Sequence, residues 1–324
     1  MSNKNKQIKC VVAILAIVMS SLACQAQKKV RVGLAWQPNP SACARVIQSI
    51  EISGGEAVVL GQVRPDGFDY DSTKLQAKYV DQDGVLLPIY AQQLKRDTWH
   101  SSNAAQVLEG VDAVVFLGGG DISSTLFRNP QPWHGIAGDY CNATRDISEY
   151  LTMTYCLDHD IPVLGLCRGM QMLAVASGAD MIQDLGVYFD QLGKQYLNLH
   201  RSLRDENGNR HYTPHDVVVT DHSSLIYEIA LSDIIEGVPS WHHQVVGDVS
   251  GTQLKVTGVT MTQGVKIIEV IERIDKSFAL GVQFHPEEAI RKTMAQEPDS
   301  ENFMPLYEAE RYFIALINAC KKKK

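Results

Sequence analysis

The sequence lacks the features that mark several large classes of protein. It contains no internal repeat and no apolar run of roughly 20 residues, the length that comfortably spans a membrane. It has no Cys-x-x-Cys pair. No Lys-Ser or Lys-Thr follows Gly118-Gly119-Gly120 at the spacing of a phosphate-binding loop. Repeat proteins, multi-span membrane proteins and P-loop nucleotide hydrolases are therefore excluded as interpretations.

Positive charge is also scarce. The 324 residues include 30 lysines and arginines against 37 acidic residues, which gives a formal net charge of −7. Without its first 26 residues, which hold three lysines and no acid, the chain would carry −10. An anionic surface argues against nucleic acid or an acidic lipid face as a partner. A small-molecule substrate is the partner that we expect, and the oligomeric state stays open.

The first 26 residues have the pattern of an export signal. Three lysines precede an uncharged, mostly apolar run at 11–22, and small residues follow. Two processing routes remain open. Ser21-Leu22-Ala23-Cys24 resembles a lipoprotein box, in which Cys24 would be lipidated and attach the chain to a bacterial membrane. Cleavage after Ala26 would release a soluble periplasmic protein, and an uncleaved anchor helix is a third interpretation.

The remainder, 27–324, is predicted to form one α/β domain. Apolar runs of strand length alternate with helical segments, which indicates a mostly parallel sheet flanked by helices. The predicted strands are 30–36, 57–60, 111–117 and 161–166, and the predicted helices are 41–53, 139–159 and 168–177. The second half is richer in strands, at 215–220 and 254–260, and residues 265–274 pair with 277–284 as an added antiparallel hairpin. A polar stretch at 61–84 is predicted to be an inserted loop, and a last helix covers 301–320.

One cysteine stands in a distinctive setting. Five cysteines lie beyond the export signal, so at least one thiol stays unpaired. Gly165-Leu166-Cys167-Arg168-Gly169 joins an apolar strand to a helix start, which is the thiol counterpart of a nucleophile elbow. The flanking glycines are expected to let the backbone bend tightly. The positive end of the next helix would favour the thiolate, so Cys167 is the candidate nucleophile.

A candidate base follows much later in the chain. Gln283-Phe284-His285-Pro286-Glu287 places a histidine at a strand end with a carboxylate two residues on. A Cys–His pair needs the imidazole in the tautomer that accepts the thiol proton, and a carboxylate on the other ring nitrogen fixes that tautomer. His285 is therefore the candidate base and Glu287 the group that orients it.

These two motifs resemble the signatures of class I glutamine amidotransferases, and more narrowly the γ-glutamyl hydrolase branch, peptidase family C26. That branch includes γ-glutamyl-γ-aminobutyrate hydrolases. Further similar segments are Gly118-Gly119-Gly120-Asp121, Arg145-Asp146 with Glu149, Trp241-His242-His243-Gln244 and Val270-Ile271-Glu272. The resemblance implies a flavodoxin-like, class I glutamine amidotransferase fold. It also implies cleavage of γ-glutamyl amide bonds by a Cys-His-Glu triad through a glutamyl thioester.

The resemblance also assigns the remaining site residues. The backbone amides of Gly119 and Arg168 would form the oxyanion hole, and Gln171 and His242 would contact the glutamyl group. Asp121 and Glu272 are further candidates for polar substrate contacts. No cofactor is expected. No metal site is expected either, since the adjacent His242 and His243 would point in different directions.

Some positions depart from the family pattern. Ser124, Phe127 and Pro239 replace an expected proline, tyrosine and asparagine in loops that shape the pocket. The leaving group therefore stays open. Two other functions stay open as well. One is a glutaminase subunit that feeds ammonia to a partner synthase, and the other is a non-catalytic binding protein on the same scaffold.

Overall fold

A computed structural model describes residues 28–135 and 140–322, so the predicted export signal lies outside the described residues. The strands are β1 (Arg31–Leu34), β2 (Glu56–Val59), β3 (Tyr70–Asp71), β4 (Lys74–Leu75), β5 (Ala113–Phe116), β6 (Val163–Leu166), β7 (Met181–Ile182), β8 (Thr213–Val219), β9 (Ile234–Ser240), β10 (Val245–Val246), β11 (Leu254–Thr262), β12 (Val265–Arg273) and β13 (Ala279–Val282). The α-helices are α1 (Ala44–Ile52), α2 (Pro88–Asp97), α3 (Ala104–Val107), α4 (Ala143–Asp158), α5 (Arg168–Ala176), α6 (Leu185–Gln191), α7 (Leu225–Ala230), α8 (Pro286–Met294) and α9 (Leu306–Lys322).

A nine-stranded sheet forms the centre, in the order β2-β1-β5-β6-β13-β12-β11-β8-β9. The first five strands run parallel to one another. Every residue of β5, β6 and β13 is buried, because helices cover both faces of a parallel sheet. This confirms the predicted α/β class with a mostly parallel sheet flanked by helices.

The antiparallel part is larger than the predicted hairpin. β12 pairs antiparallel with β13, as predicted, with Val270 opposite Val282. β11, β8 and β9 then continue the sheet in antiparallel fashion. The sequence analysis did not predict β9, because this strand contains Gly237 and Pro239, and both residue types are depleted in strands. β9 is an edge strand, where a missing backbone donor is tolerated.

Two hydrophobic clusters lie on opposite faces of the sheet. Side chains alternate along β5, so that Val114 and Phe116 join the cluster that contains α2, α4 and α5. Ala113 and Val115 join the cluster that contains α1, α7, α8 and α9. The carboxyl ends of β5, β6 and β13 thus lie side by side over a packed core, and the loops that follow them meet at one edge.

The stretch at 61–84 is ordered against the core. It contains the short β3–β4 hairpin, and Phe68, Leu75 and Tyr79 are buried. The Leu75 amide donates a hydrogen bond to Thr144 Oγ1 at 3.0 Å, which ties the stretch to α4. Whether it is an insertion relative to related proteins stays a prediction.

The last helix begins later than predicted, at Leu306, because Ser300–Asn302 forms a separate 3-10 turn before Pro305. The five cysteines within the described ranges are all free and buried. No helix among residues 28–135 and 140–322 is long and apolar enough to cross a membrane.

Candidate active site

Cys167 joins β6 to α5 in a strained backbone conformation. Its φ is 51° and its ψ is −104°, an arrangement that a non-glycine residue adopts only when its surroundings enforce it. The strain is carried by the cysteine itself, since neither flanking glycine has a positive φ. Those glycines serve close packing instead. A Cβ at Gly165 would lie 2.5 Å from the Gly169 carbonyl carbon, and one at Gly169 would clash with the Phe116 carbonyl oxygen.

His285 and Glu287 lie at the start of the helix that follows β13. His285 precedes Pro286, the first residue of α8, and Glu287 lies in the first turn. His285 Nδ1 donates to Glu287 Oε1 at 2.7 Å, which leaves Nε2 for the thiol. The His285 backbone amide donates to the Pro239 carbonyl at 2.9 Å, so the edge strand β9 helps to hold the base. Gly118 gives the ring room, because a Cβ there would lie 2.7 Å from His285 Cε1.

The electrostatic surroundings favour a protonated His285. Burial lowers the pKa of His285, but Tyr212, Glu287 and Cys167 raise it by more, so that it lies well above the usual value. The Tyr212 ring meets the imidazole edge to face, with 5.2 Å between ring centroids. A raised pKa of His285 suits a group that accepts the thiol proton.

Two cavities meet at Cys167. The larger, about 430 Å³, is lined by the triad together with Tyr212 and Trp241. The smaller, about 160 Å³, shares Gly119, Cys167 and Trp241 with the larger and is lined mainly by residues of the 119–121 and 241–244 segments. The Trp241 carbonyl oxygen lies 3.9 Å from Cys167 Sγ.

The predicted oxyanion donors both border the cysteine. Gly119 lines both cavities. Arg168 is the first residue of α5, where backbone N–H groups have no acceptor within the helix. Arg145 Nη2 donates to the carbonyls of Leu117 and Gly118, at 3.0 Å each, and so fixes the loop that carries Gly119.

The Arg168 side chain turns away from the site into a buried ion-pair network. Its guanidinium pairs with Asp146 and Glu149 of α4, and Glu149 also accepts from Arg145 Nε at 2.7 Å. All four side chains are at most 7% exposed. The two arginines thus balance the charges of the two carboxylates next to the elbow. Because the Arg168 side chain is used in this network, only its backbone can face a substrate.

The smaller cavity brings together three of the predicted substrate contacts, namely Gln171, His242 and Asp121. Gln171 Nε2 donates to the Gln244 carbonyl at 3.0 Å, and His242 Nδ1 donates to the same oxygen at 3.1 Å. Burial lowers the pKa of His242 to about 4. Asp121 accepts from His243 Nε2 at 2.9 Å and from Trp133 Nε1 at 3.0 Å, so both of its oxygens already have donors.

His243 bridges two carboxylates behind this cavity. Its Nδ1 lies 2.9 Å from Asp184 and its Nε2 2.9 Å from Asp121. Burial lowers the pKa of His243, but the two carboxylates raise it to about 9. His243 is therefore a buried cation at neutral pH. Its carboxylate partners, Asp121 and Asp184, differ from that of His242, which is Glu269.

The sequence assigned no role to Gln244 or Gln283. The Gln244 side chain is buried in the wall of the smaller cavity, and neither amide atom has a hydrogen-bond partner within the described part of the chain. Gln283 Nε2 lies 3.5 Å from Cys167 Sγ. Both residues belong to the quoted motifs, but no spacing rule distinguishes a glutamine that faces a cavity from one that packs.

The structure does not bring Glu272 to the site. Its carboxylate accepts hydrogen bonds at 2.9 Å from the amides of Leu225 and Ile226 and from Thr257 Oγ1. It therefore caps the amino end of α7, and it lines neither of the cavities at Cys167.

Comparisons with known proteins agree with this architecture. The sequence profile of peptidase C26 matches residues 70–287. A presumed glutamine amidotransferase of Mycobacterium tuberculosis is 31% identical over 242 residues, which cover 73% of this chain and 70% of the relative. The γ-glutamyl-γ-aminobutyrate hydrolase PuuD of Escherichia coli is 26% identical over 166 residues, 49% of this chain and 60% of that protein.

Among solved structures, the glutaminase domain of Trypanosoma brucei CTPS with bound acivicin aligns with a TM-score of 0.50. The alignment covers 91% of this chain and 95% of that domain at 17% identity, and so it shows the fold alone. The chain belongs to the peptidase C26 family of glutamine amidotransferase-like hydrolases and has the class I glutamine amidotransferase fold.

Proposed function

We propose that this protein is a cysteine hydrolase that cleaves γ-glutamyl amide bonds. The observation that carries the proposal is that Cys167 lines two cavities of unequal size. The smaller polar cavity suits a glutamyl group, and the larger one suits the amine on the other side of the scissile bond. The oriented His285–Glu287 pair supports the same reaction.

Acylation begins when the Cys167 sulfur attacks the γ-carbonyl carbon. His285 holds the thiol proton, and Glu287 stabilises the resulting imidazolium through Nδ1. The carbonyl oxygen becomes negative in the tetrahedral intermediate and accepts hydrogen bonds from the backbone amides of Gly119 and Arg168. The C–N bond then breaks, and the amine leaves with the proton from His285. A glutamyl thioester on Cys167 remains.

Deacylation reverses the roles. A water molecule enters the space left by the amine and gives a proton to His285 as its oxygen attacks the thioester carbon. The C–S bond breaks and Cys167 leaves as a thiolate. Glutamate is released, and its new carboxyl group gives its proton to the solvent. The imidazolium and the thiolate are then restored as an ion pair, ready for the next substrate.

The smaller cavity supports recognition of the α-amino and α-carboxylate groups. Gln244 can donate to a carboxylate from Nε2 and accept from an ammonium at Oε1, since neither atom is bonded to the described residues. Arg201 also lines this cavity and adds a positive charge. A glutamyl group that satisfied Gln244 would remove the cost of burying an unpaired amide.

The size of the larger cavity favours a hydrolase over a glutaminase subunit. Ammonia needs far less than about 430 Å³, so the open space suits a larger amine, peptide or pteroyl leaving group. The non-catalytic alternative is disfavoured by the strained elbow, because backbone strain of this kind persists where it is part of a mechanism. Export of the chain, in soluble or lipid-anchored form, is a separate proposal.

The first test is glutamate release from a panel of γ-glutamyl amines, γ-glutamyl peptides, folate polyglutamates and glutamine. We expect release by the wild-type protein and a loss of kcat/KM on the order of 10⁴-fold or more in Cys167→Ala. Substrate binding should survive in that variant, because the thiol adds little to ground-state affinity.

The alternatives give different results in the same experiment. Release from glutamine alone, increased by a co-purifying synthase, would indicate a glutaminase subunit. No release from any substrate, together with a Cys167 thiol that does not react with iodoacetamide, would indicate a binding protein. Full activity in Cys167→Ala would exclude the proposed mechanism.

A further inference from the structure

A second group of ionisable side chains lies behind the smaller cavity, where three histidines surround one buried carboxylate. Glu269 of β12 is fully buried, and its Oε1 lies 3.2 Å from His200 Nδ1 and 3.6 Å from His242 Nε2. His215 Nε2, on β8, lies 3.5 Å from the same oxygen. Four segments that are distant in sequence thus bring three imidazole nitrogens to one carboxylate oxygen.

These contacts are short enough for ion pairs, but they do not have the geometry of hydrogen bonds. Neither oxygen of Glu269 has a hydrogen-bond partner among the residues that the structure describes. The same holds for His200 Nδ1, His242 Nε2 and both ring nitrogens of His215. Buried polar atoms are rarely left unpaired, so a cluster of this many needs a partner that lies between them.

The outer hydrogen bonds determine which atoms point inward as lone pairs. His242 Nδ1 lies 3.1 Å from the Gln244 carbonyl, which can only accept, so that nitrogen carries the proton. Nε2 is then the ring nitrogen that faces the Glu269 carboxylate, 3.6 Å from Oε1. A cation held between this nitrogen and the carboxylate oxygen would interact favourably with both.

The distances fit such a cation. In a tetrahedral site with bonds of 2.0–2.1 Å, the ligand atoms lie about 3.3–3.4 Å from one another. The three imidazole nitrogens lie 3.2, 3.5 and 3.6 Å from Glu269 Oε1. The ligand atoms of His200, His242 and Glu269 all lie within 4.8 Å of one another. Two imidazoles with one carboxylate form a ligand set that Zn²⁺ uses.

We propose that His200, His242 and Glu269 bind a divalent transition-metal ion, with Zn²⁺ the best match to these ligands. His215 Nε2 borders this set of ligands, 3.5 Å from Glu269 Oε1. The outer hydrogen bonds are of the kind that orient metal ligands: His200 Nε2 lies 2.7 Å from Thr262 Oγ1, and His242 Nδ1 bonds to the Gln244 carbonyl. The predicted absence of a metal site would then be wrong.

The site would be structural, because the ligand atoms themselves are buried. It would join β8, β12 and the segment that contains His242. That segment also carries the Trp241 carbonyl beside Cys167 and the Gln244 side chain in the smaller cavity. The ion would therefore hold one wall of the active site in place without taking part in the reaction.

The direct test is the metal content of the full chain, purified without chelators and measured by inductively coupled plasma mass spectrometry. We expect about one zinc per chain in the wild type, and less than about a tenth of that in Glu269→Gln and His200→Gln. His222→Gln is the matched control, because His222 also lies 2.7 Å from a carboxylate, that of Asp233, but on the surface. It should keep the zinc.

A second measurement uses only wild-type protein and does not depend on how the variants fold. Stripping the metal with a chelator should lower the Tm, and Zn²⁺ should restore it in proportion to its occupancy. Co²⁺ in place of Zn²⁺ should give the visible absorption of a tetrahedral site. Wild-type protein with no bound metal, and with a Tm that Zn²⁺ does not change, would overturn the proposal. In that case Glu269→Gln should be neutral or stabilising, because it removes an unpaired buried charge.

Discussion

The two walls that enclose Cys167 are built in different ways. The elbow wall, formed by β5, β6, α4 and α5, pairs its buried charges in full. Arg145 and Arg168 balance Asp146 and Glu149, and glycines bring the backbone segments into contact. The histidine wall, formed by His200, residues 241–244 and Glu269, leaves several buried polar atoms without partners in the described chain.

This difference indicates a division of labour. A wall whose charges and hydrogen bonds are satisfied internally can hold a nucleophile and oxyanion donors rigidly, since it gains nothing by binding anything else. A wall whose buried amide, imidazole and carboxylate atoms lack hydrogen-bond partners in the described chain can still form such bonds with a ligand. We expect the elbow wall to determine turnover and the histidine wall to determine what is bound.

The largest effect is expected from the base itself. His285→Ala should lower kcat on the order of 10⁴-fold, because it removes the group that accepts the thiol proton. Glu287→Gln should cost less, about 10²-fold, because it perturbs the orientation of the ring and leaves the proton acceptor in place. Steady-state kinetics on the best γ-glutamyl substrate would measure both, with KM nearly unchanged.

The pH profile adds a readout that a merely structural role would not change. Glu287 helps to raise the pKa of His285, so Glu287→Gln should move the alkaline limb of the profile to lower pH. An unshifted limb with reduced kcat would contradict the role of Glu287 as the group that stabilises the imidazolium.

The next largest effect tests the charge balance of the elbow wall. Glu149→Gln leaves two buried arginines with one carboxylate, and breaking a buried pair in this way typically costs about 3–5 kcal/mol. Urea unfolding should show a lower midpoint with an unchanged slope. Glu51→Gln, on the exposed face of α1, is the control and should stay within about 0.5 kcal/mol of wild type. Equal free energies of unfolding for the two variants would mean that the buried ion pairs do not stabilise the fold.

Sequence reasoning located the elbow wall because its parts are local. An apolar strand, a Gly-x-Cys-x-Gly turn and a helix are contiguous, so one stretch of sequence carries the whole pattern. The same is true of the parallel strands, whose buried runs give a continuous apolar signal. The ion pairs of Arg168 with Asp146 and Glu149 could not be inferred in this way. A charged residue in a predicted helix is expected to be exposed to solvent unless its partner is known.

The histidine wall was largely not predicted, because its parts are not contiguous in the sequence. His200, His242 and Glu269 come from three distant segments, and no spacing links them. β12 carries two glutamates three residues apart, which point to opposite faces of the sheet. The sequence drew attention to Glu272, which caps α7, whereas Glu269 is the acid that faces the histidines. Only the pairing of the antiparallel strands distinguishes the two.

The smallest expected effect concerns His243, whose charge makes a pH-dependent contribution to the free energy of unfolding. The pKa of His243 is raised from 6.5 to about 9 in the folded protein, so its charged form contributes stability that is fully present below about pH 6.5. That contribution is lost as the pH rises through about 9, and a shift of this size corresponds to a free energy on the order of 3 kcal/mol. His243→Gln should therefore lose more stability at about pH 6 than at about pH 10. Urea unfolding of both proteins at each pH would measure this, and comparing them cancels the other titrating groups. The exposed His222→Gln should show no such dependence, and a pH-independent loss in His243→Gln would mean that the ring acts by packing and not by its charge.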